Sequence, residues 1–457
     1  MHFFEQNYQL IQWLLVIGSS LFLFFLSPWA KSKNDFFRGS KKDIEPGFWM
    51  LTSSLVISWI FAKSITNAAD LGLRFGLVGG LSYAAYYLSF LVAGVIIYFI
   101  RVKGKFTSIH DFLNKRFGRN AIILFSVLIA FRLINEVWSN TMVIGSYFGE
   151  SNSLPYFSAI IVFTGLTLAY TIKGGLRSSL LTDMIQMILF GILLFVILSI
   201  LLPKENMGMD KILSSGEWTA AGGINFLFVA LIQIFSYPFH DPVMTDRAFI
   251  ADPKKTLKCF IWATVIGFIS ILLFSFMGIY GSFEGLGVPA PVSVSKLLGV
   301  GMMLLVNFIM ITSAASTLDS SFNSFSKLLV LDLGLLKSSS ISIGRKMIIF
   351  CCIVGTIPIF FSPEILSATT ISGTMVIGLS PVFLFWFMRP PKISYYLSVG
   401  FGIAVGILYT MGFTFDFFNF SGPYAPLLSA NVFGFVLSML LYLLPMLFIK
   451  KDLSYAR

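Results

Sequence analysis

Five ionisable residues stand where an apolar chain should have none: Lys63, Arg132, Glu136, Asp183 and Asp319. Charges inside membrane spans are costly and mark ion or solute paths or internal pairs. Arg132 and Glu136 are spaced i,i+4, which puts them on one helical face where they can neutralise each other. Counted at about 1.5 Å per residue from the inner ends of their helices, Lys63, Arg132 and Glu136 meet in the outer half of a bilayer. A lysine and an arginine in one cavity suit a carboxylate, the arginine through a bidentate fork. Asp183 and Asp319 fall in the inner third. Two carboxylates in low dielectric stay ionised together only with a cation between them, so a bound Na⁺ or a shared proton is expected. Ser313, Ser316 and Thr317 set hydroxyls at i, i+3 and i+4 beside Asp319, and hydroxyls with one carboxylate are ligands a hard cation accepts. The bland alternative is that such hydroxyls bond back to their own helix.

The elements that hold these residues follow from composition. Of 457 residues, 56% are hydrophobic and 12% charged, against about 25% charged in soluble proteins. Apolar runs long enough for a hydrocarbon core of about 30 Å recur from end to end. We expect one all-α polytopic membrane domain of about 13 spans: 8–30, 48–72, 81–100, 121–147, 155–172, 178–202, 223–240, 258–282, 299–331, 346–361, 367–388, 394–412 and 425–449. With the N-terminus outside, the inner loops and C-terminus carry 25 Lys and Arg, Arg247 among them, and the outer loops four, Arg74, Lys204, Lys211 and Lys296. That bias is what the positive-inside rule requires, and it puts the C-terminus in the cytoplasm. The net charge of +11 is thereby explained by topology rather than nucleic acid. Lys327, one turn from its span's inner end, is expected to snorkel to the surface. Cys259, Cys351 and Cys352 have no metal-ligand spacing and read as buried apolar residues. The first apolar run lacks a basic n-region and a cleavage site, so it reads as a retained helix.

Two spans are interrupted. Apolar character fades in Ile57–Asp70, and Tyr237-Pro238-Phe239-His240-Asp241-Pro242 breaks the seventh span. Interrupted helices face substrate and free carbonyls for ions, and breaks five spans apart fit an inverted five-helix repeat. His240, beside the second break, reads as an interior histidine, a solute contact or a gate.

Four segments resemble the sodium:solute symporter family of sodium/glucose and sodium/proline cotransporters: Phe106–Gly118 ending in Arg-Phe-Gly, Gly174–Gln186 with Gly-Gly-Leu and Thr-Asp, Asp241 followed by Arg247, and Ser316-Thr317-Leu318-Asp319-Ser320. Asp246 stands where the family pattern has Gln. The resemblance implies a LeuT-like core of two inverted repeats, 48–202 and 223–388, with an extra helix and loop at 1–47 and two further helices at 394–457. It implies Na⁺ on the carbonyls of Ile57, Ile60 and Ser313 and the hydroxyls of Ser316 and Thr317. It also implies a second cation or proton site at Asp183, Ser316, Asp319 and Ser320, and a solute site at Lys63, Ser64, Arg132, Glu136 and Asp241. The expected function is Na⁺-coupled symport of a small organic solute, carboxylate-bearing if the two cations face it, in the plasma membrane. No cofactor, nucleic acid or obligatory protein partner is implied. Scattered histidines without an enzyme motif exclude a membrane enzyme, and the chain's end soon after its last span speaks against a solute sensor. Proton coupling on the same fold, or a transporter-like membrane solute sensor, is the alternative.

Overall fold

The computed structural model describes residues 7–39, 45–334, 340–415 and 417–448. The loop cations Lys41, Lys42, Lys337, Lys450, Lys451 and Arg457 lie outside the described residues. Nine helices among the described residues are long and apolar enough to cross a bilayer, or ten if Ser367–Met375 and Ile377–Leu384, bent by 44°, count as one. Two shorter apolar helices, Phe48–Ile57 and Ile224–Gln233, are halves of the interrupted spans. Each expected span overlaps one of these helices.

Glycine folds two of the long elements back. A straight helix over Leu154–Leu201 would measure about 72 Å, more than twice the hydrocarbon thickness. Gly175 interrupts it with φ 61°, a conformation open to glycine without steric cost. Gly76, with φ 60°, does the same between Ala62 and Ala84. A Cβ on Gly79 would strike the carbonyl of Leu71, although eight residues along a straight helix would separate them by about 12 Å. The chain therefore reverses at Gly76.

The first interruption is a turn over Ser58–Phe61 between Phe48–Ile57 and the helix that starts at Ala62. The N–H groups of Ser58, Trp59 and Ile60 donate back to Ser54 and Val56, and the Phe61 carbonyl accepts from Ser64 and Ile65. Among the described residues, the carbonyls of Ile57 and Ile60 accept no hydrogen bond across this turn. The second lies between Ile224–Gln233 and Pro242–Arg247, with Asp241 capping the new helix from Oδ1 to the N–H of Val243 (2.9 Å) and Met244 (3.3 Å). A carboxylate at the N-cap satisfies donors that have no helical partner.

Loops segregate by face. A cavity of about 570 Å³ opens on the face that gathers Arg38, Thr107, His110, Asp246, Lys327 and Asp332, all from segments expected inside. Arg74, Phe75, Ser215 and Glu217 line a cavity of about 390 Å³, and Leu77 N–H donates to the Ser215 carbonyl at 3.1 Å, so expected outer segments also meet. Burial pushes the His110 imidazole below its ordinary pKa against the opposing pull of Asp332.

Candidate functional site

Where the breaks face each other, four fully buried charges close on themselves. Lys63, in the first turn after the first break, reaches Glu136 Oε1 from Nζ at 2.6 Å. Arg132 also pairs with Glu136, and its Nη2 lies 3.0 Å from Asp241 Oδ2. Asn140 Nδ2 donates to Glu136 Oε2 at 3.0 Å, and Trp59 Nε1 to Asp241 Oδ2 at 2.8 Å. The Phe61 ring lies under both cations, 4.9 Å from Lys63 Nζ and 5.3 Å from the Arg132 guanidinium. Two cations and two carboxylates leave the cluster balanced. Buried charges are tolerated when each is paired and hydrogen-bonded.

Trp59 and Ser64 also line a narrow pocket with Phe61, Tyr83, Tyr86, Tyr87, Tyr237 and Thr369. Ser64 is thus the assigned solute residue on the pocket wall, while Lys63, Arg132, Glu136 and Asp241 form the ion cluster beside it. The tyrosine hydroxyls are held in place: Tyr87 donates to the Trp59 carbonyl (2.6 Å), Tyr86 to Gln233 Oε1 (2.8 Å), and Tyr83 lies 3.1 Å from Ser64 Oγ. His240 sits with Nδ1 2.6 Å from the Tyr237 carbonyl and Nε2 3.3 Å from Ser372 Oγ.

The second cluster is built differently. Asp183 Oδ1 accepts from Ser316 Oγ at 2.5 Å, and Oδ2 from Ser54 Oγ at 2.5 Å and Arg247 Nη2 at 3.1 Å. Arg247 donates from Nε to Ser54 Oγ (2.6 Å) and from Nη2 to Ser320 Oγ (2.9 Å). Asp319 accepts from Ser179 Oγ (2.8 Å) and Thr182 Oγ1 (3.1 Å). Ser58 Oγ bridges Asp183 Oδ2 and Ser320 Oγ, at 3.3 and 3.2 Å. Asp183, Asp319 and Arg247 are fully buried, so this cluster carries two carboxylates against one guanidinium.

That excess lies beside the oxygen atoms named as candidate cation ligands. Ser54 and Ser58, at the end of the first half-helix, and Ser316, on helix Val300–Lys327, all donate to Asp183. The carboxylate thus joins the break that bears the Ile57 and Ile60 carbonyls to the helix that bears Ser313 and Thr317. Thr317 Oγ1 donates to the Ser313 carbonyl at 2.9 Å, the local bond the bland reading expects. A hydroxyl whose proton is committed this way still presents lone pairs to a cation. Ser313 Oγ and Ser321 Oγ are buried without a partner, further unused oxygens on the same helix.

Two expectations need correction. Arg247 is not a loop cation: it is fully buried and holds Asp183, because Asp241 starts a new helix and turns the chain inward after the break. Lys327 does not snorkel freely. It pairs with Asp246, whose Oδ2 also accepts from Ser324 Oγ at 3.1 Å. The sequence reading missed Ser54, Trp59, Asn140 and Ser179. Ser54 and Ser58 had a signal, an i,i+4 hydroxyl pair in an apolar helix; their partner Asp183, 129 and 125 residues away, gave none.

The architecture is that of secondary transporters with an inverted five-helix repeat, the LeuT-like fold. A substrate-bound, outward-open Na⁺-coupled sialic acid symporter superimposes with TM-score 0.72 at 18% identity, covering 96% of this chain and 98% of that one. Mhp1, a nucleobase-cation-symport-1 family transporter in a closed conformation with bromovinylhydantoin bound, gives 0.56 at 13% identity over 91% and 95%. In sequence, the chain resembles the Sodium:solute symporter family (SSF), whose profile matches residues 45–216. The sodium/myo-inositol cotransporter 2 of Mus musculus is 29% identical over 172 residues, 35% of this chain and 25% of that protein. The chain therefore spans about a quarter of the length of the curated relatives it matches. Matched family and structural neighbours are membrane transporters. Of the four family-like segments, the two before residue 216 fall inside the profile match and the two after it fall outside.

Proposed function

We propose that this chain is a Na⁺-coupled symporter of a small organic solute, working by alternating access in the plasma membrane with its N-terminus outside and C-terminus cytoplasmic. The observation that carries the reading is the uncompensated carboxylate in the Asp183, Asp319 and Arg247 cluster. Na⁺ binds there, on the carbonyls of Ile57, Ile60 and Ser313 and the hydroxyls of Ser316 and Thr317, with Asp183, Asp319 and Ser320 supplying the balancing charge or a second site. Sodium coupling is supported by the likeness to sodium/myo-inositol cotransporters in sequence and to a Na⁺-coupled sialic acid symporter in fold.

The solute site is the aromatic pocket at Ser64, beside Lys63, Arg132, Glu136 and Asp241; at about 10 Å³ it is closed to anything larger than a water here, so solute binding goes with a conformation in which it widens. Both cations already have carboxylate partners, which weakens the case for an anionic solute and favours one without net charge, such as the polyol of the myo-inositol relatives. Arg247 couples the parts. It lies on the inner half of the second broken helix, in the repeat 223–388, and grips Asp183 in the repeat 48–202. A cation arriving at Asp183 shares that carboxylate and alters the grip between the repeats, and such coupling between ion and conformation is reciprocal. The Arg38, Asp246 and Lys327 cavity is then the cytoplasmic vestibule.

Proton coupling is the second reading, favoured by the proximity of Asp183 and Asp319, since one proton would balance the cluster equally well. Solute uptake into proteoliposomes distinguishes them. An imposed Na⁺ gradient at equal pH should drive accumulation; accumulation driven by a pH gradient without Na⁺ would replace the first reading with the second.

A further inference from the structure

Among the described residues, seven acidic or basic side chains are no more than 2% exposed. Three are positive, Lys63, Arg132 and Arg247, and four negative, Glu136, Asp183, Asp241 and Asp319. His240 has an acceptor at one ring nitrogen and a hydroxyl at the other, which satisfies a neutral imidazole. The core therefore carries one negative charge in excess, and that excess lies wholly in the inner cluster.

We infer that the membrane core takes one coupling cation per chain, because Lys63 is a tethered cation occupying the position a second mobile one would need. The inference rests on the proposed Na⁺ coupling and deepens it. Lys63 lies in the first turn after the first break, and its ammonium lies against Glu136 over the Phe61 ring. A mobile cation there would bring the same single charge to the same carboxylate. The balance is indifferent to whether the pair's proton sits on Lys63 or Glu136, since either arrangement sums to zero. Buried ion pairs hold only when both partners are present: losing one leaves a charge that must find another counter-ion or a proton. Lys63 thus sets the stoichiometry of the cycle, and the inner cluster supplies the one exchangeable position.

The test is a direct count of ²²Na⁺ bound at saturation, by equilibrium dialysis of the full chain in detergent at pH 8. The expected value is one per native chain. Lys63→Gln should raise it to two, and Lys63→Arg, which keeps the charge, should leave it at one. If Lys63→Gln does not fold, the native count still decides. Two Na⁺ per native chain would overturn this inference while leaving Na⁺ coupling intact. A folded Lys63→Gln chain that still binds one would overturn it as well. No Na⁺ bound to the native chain would instead remove the coupling reading on which the inference stands.

Discussion

The central and inner clusters sit within one helical core and use the same chemical parts, yet they close differently. In the central one, Lys63 and Arg132 meet Glu136 and Asp241, with Trp59 and Asn140 filling the remaining acceptor sites. In the inner one, a single guanidinium serves two aspartates, and hydroxyls from Ser54, Ser179, Thr182 and Ser316 take the other contacts. Hydroxyls lower the cost of a buried carboxylate without cancelling its charge. The first arrangement balances its own charges; the second leaves one carboxylate charge without an internal cation.

The sharpest way to break this contrast is to remove Arg247. Arg247→Met leaves Asp183 and Asp319 with no internal cation and should cost roughly 3–5 kcal/mol, the range for unpairing a buried charge. In thermal unfolding, saturating Na⁺ should recover part of that loss. Asp241→Asn unbalances the central cluster instead. It should cost on the order of 3 kcal/mol but leave the Na⁺ dependence of unfolding unchanged, because Arg132 pairs with Glu136 and Asp241 and not with Asp183. Gln233→Leu strips the partner of Tyr86 Oη and of Asn431 and should cost about 2 kcal/mol, the penalty of unpaired buried polar groups. Its solute affinity should fall more than its Na⁺ affinity, read by binding isotherms. Lys327→Gln opens a partly exposed pair on the vestibule, worth about 1 kcal/mol or less, and should not move the Na⁺ midpoint.

The sequence exposed the positions of the breaks and left the pairing across them hidden. Ser58 and Pro238 interrupt apolar runs, and the hydroxyl run from Ser313 to Ser321 stands out on a single helix, so local pattern was enough. Arg132 with Glu136 was also legible, since four residues on a helix make neighbours. Lys63 meets Glu136 across 73 residues and Arg132 meets Asp241 across 109, and such contacts depend on how whole helices rotate against one another. Arg247 was misread for the same reason: followed by Lys254, Lys255 and Lys258, it looks like part of a loop's positive run until Asp241 restarts the helix. The tyrosines of the pocket, Tyr83, Tyr86 and Tyr87, read as ordinary apolar content because their hydroxyl partners come from elsewhere in the chain.

The most direct test of the account is thermal stabilisation of the purified chain by Na⁺ against K⁺ and choline at constant ionic strength, for the native protein and for Ser316→Ala with Thr317→Ala. A ligand that binds the folded state at a hundred times its dissociation constant stabilises by about 2.7 kcal/mol. The native chain should gain stability in Na⁺ alone, and the double variant, less stable in K⁺ through the lost Ser316 hydrogen bond to Asp183 but still unfolding cooperatively, should lose that gain. Equal stabilisation by all three cations, or a double variant that responds to Na⁺ like the native chain, would contradict a sodium site at the Asp183 cluster.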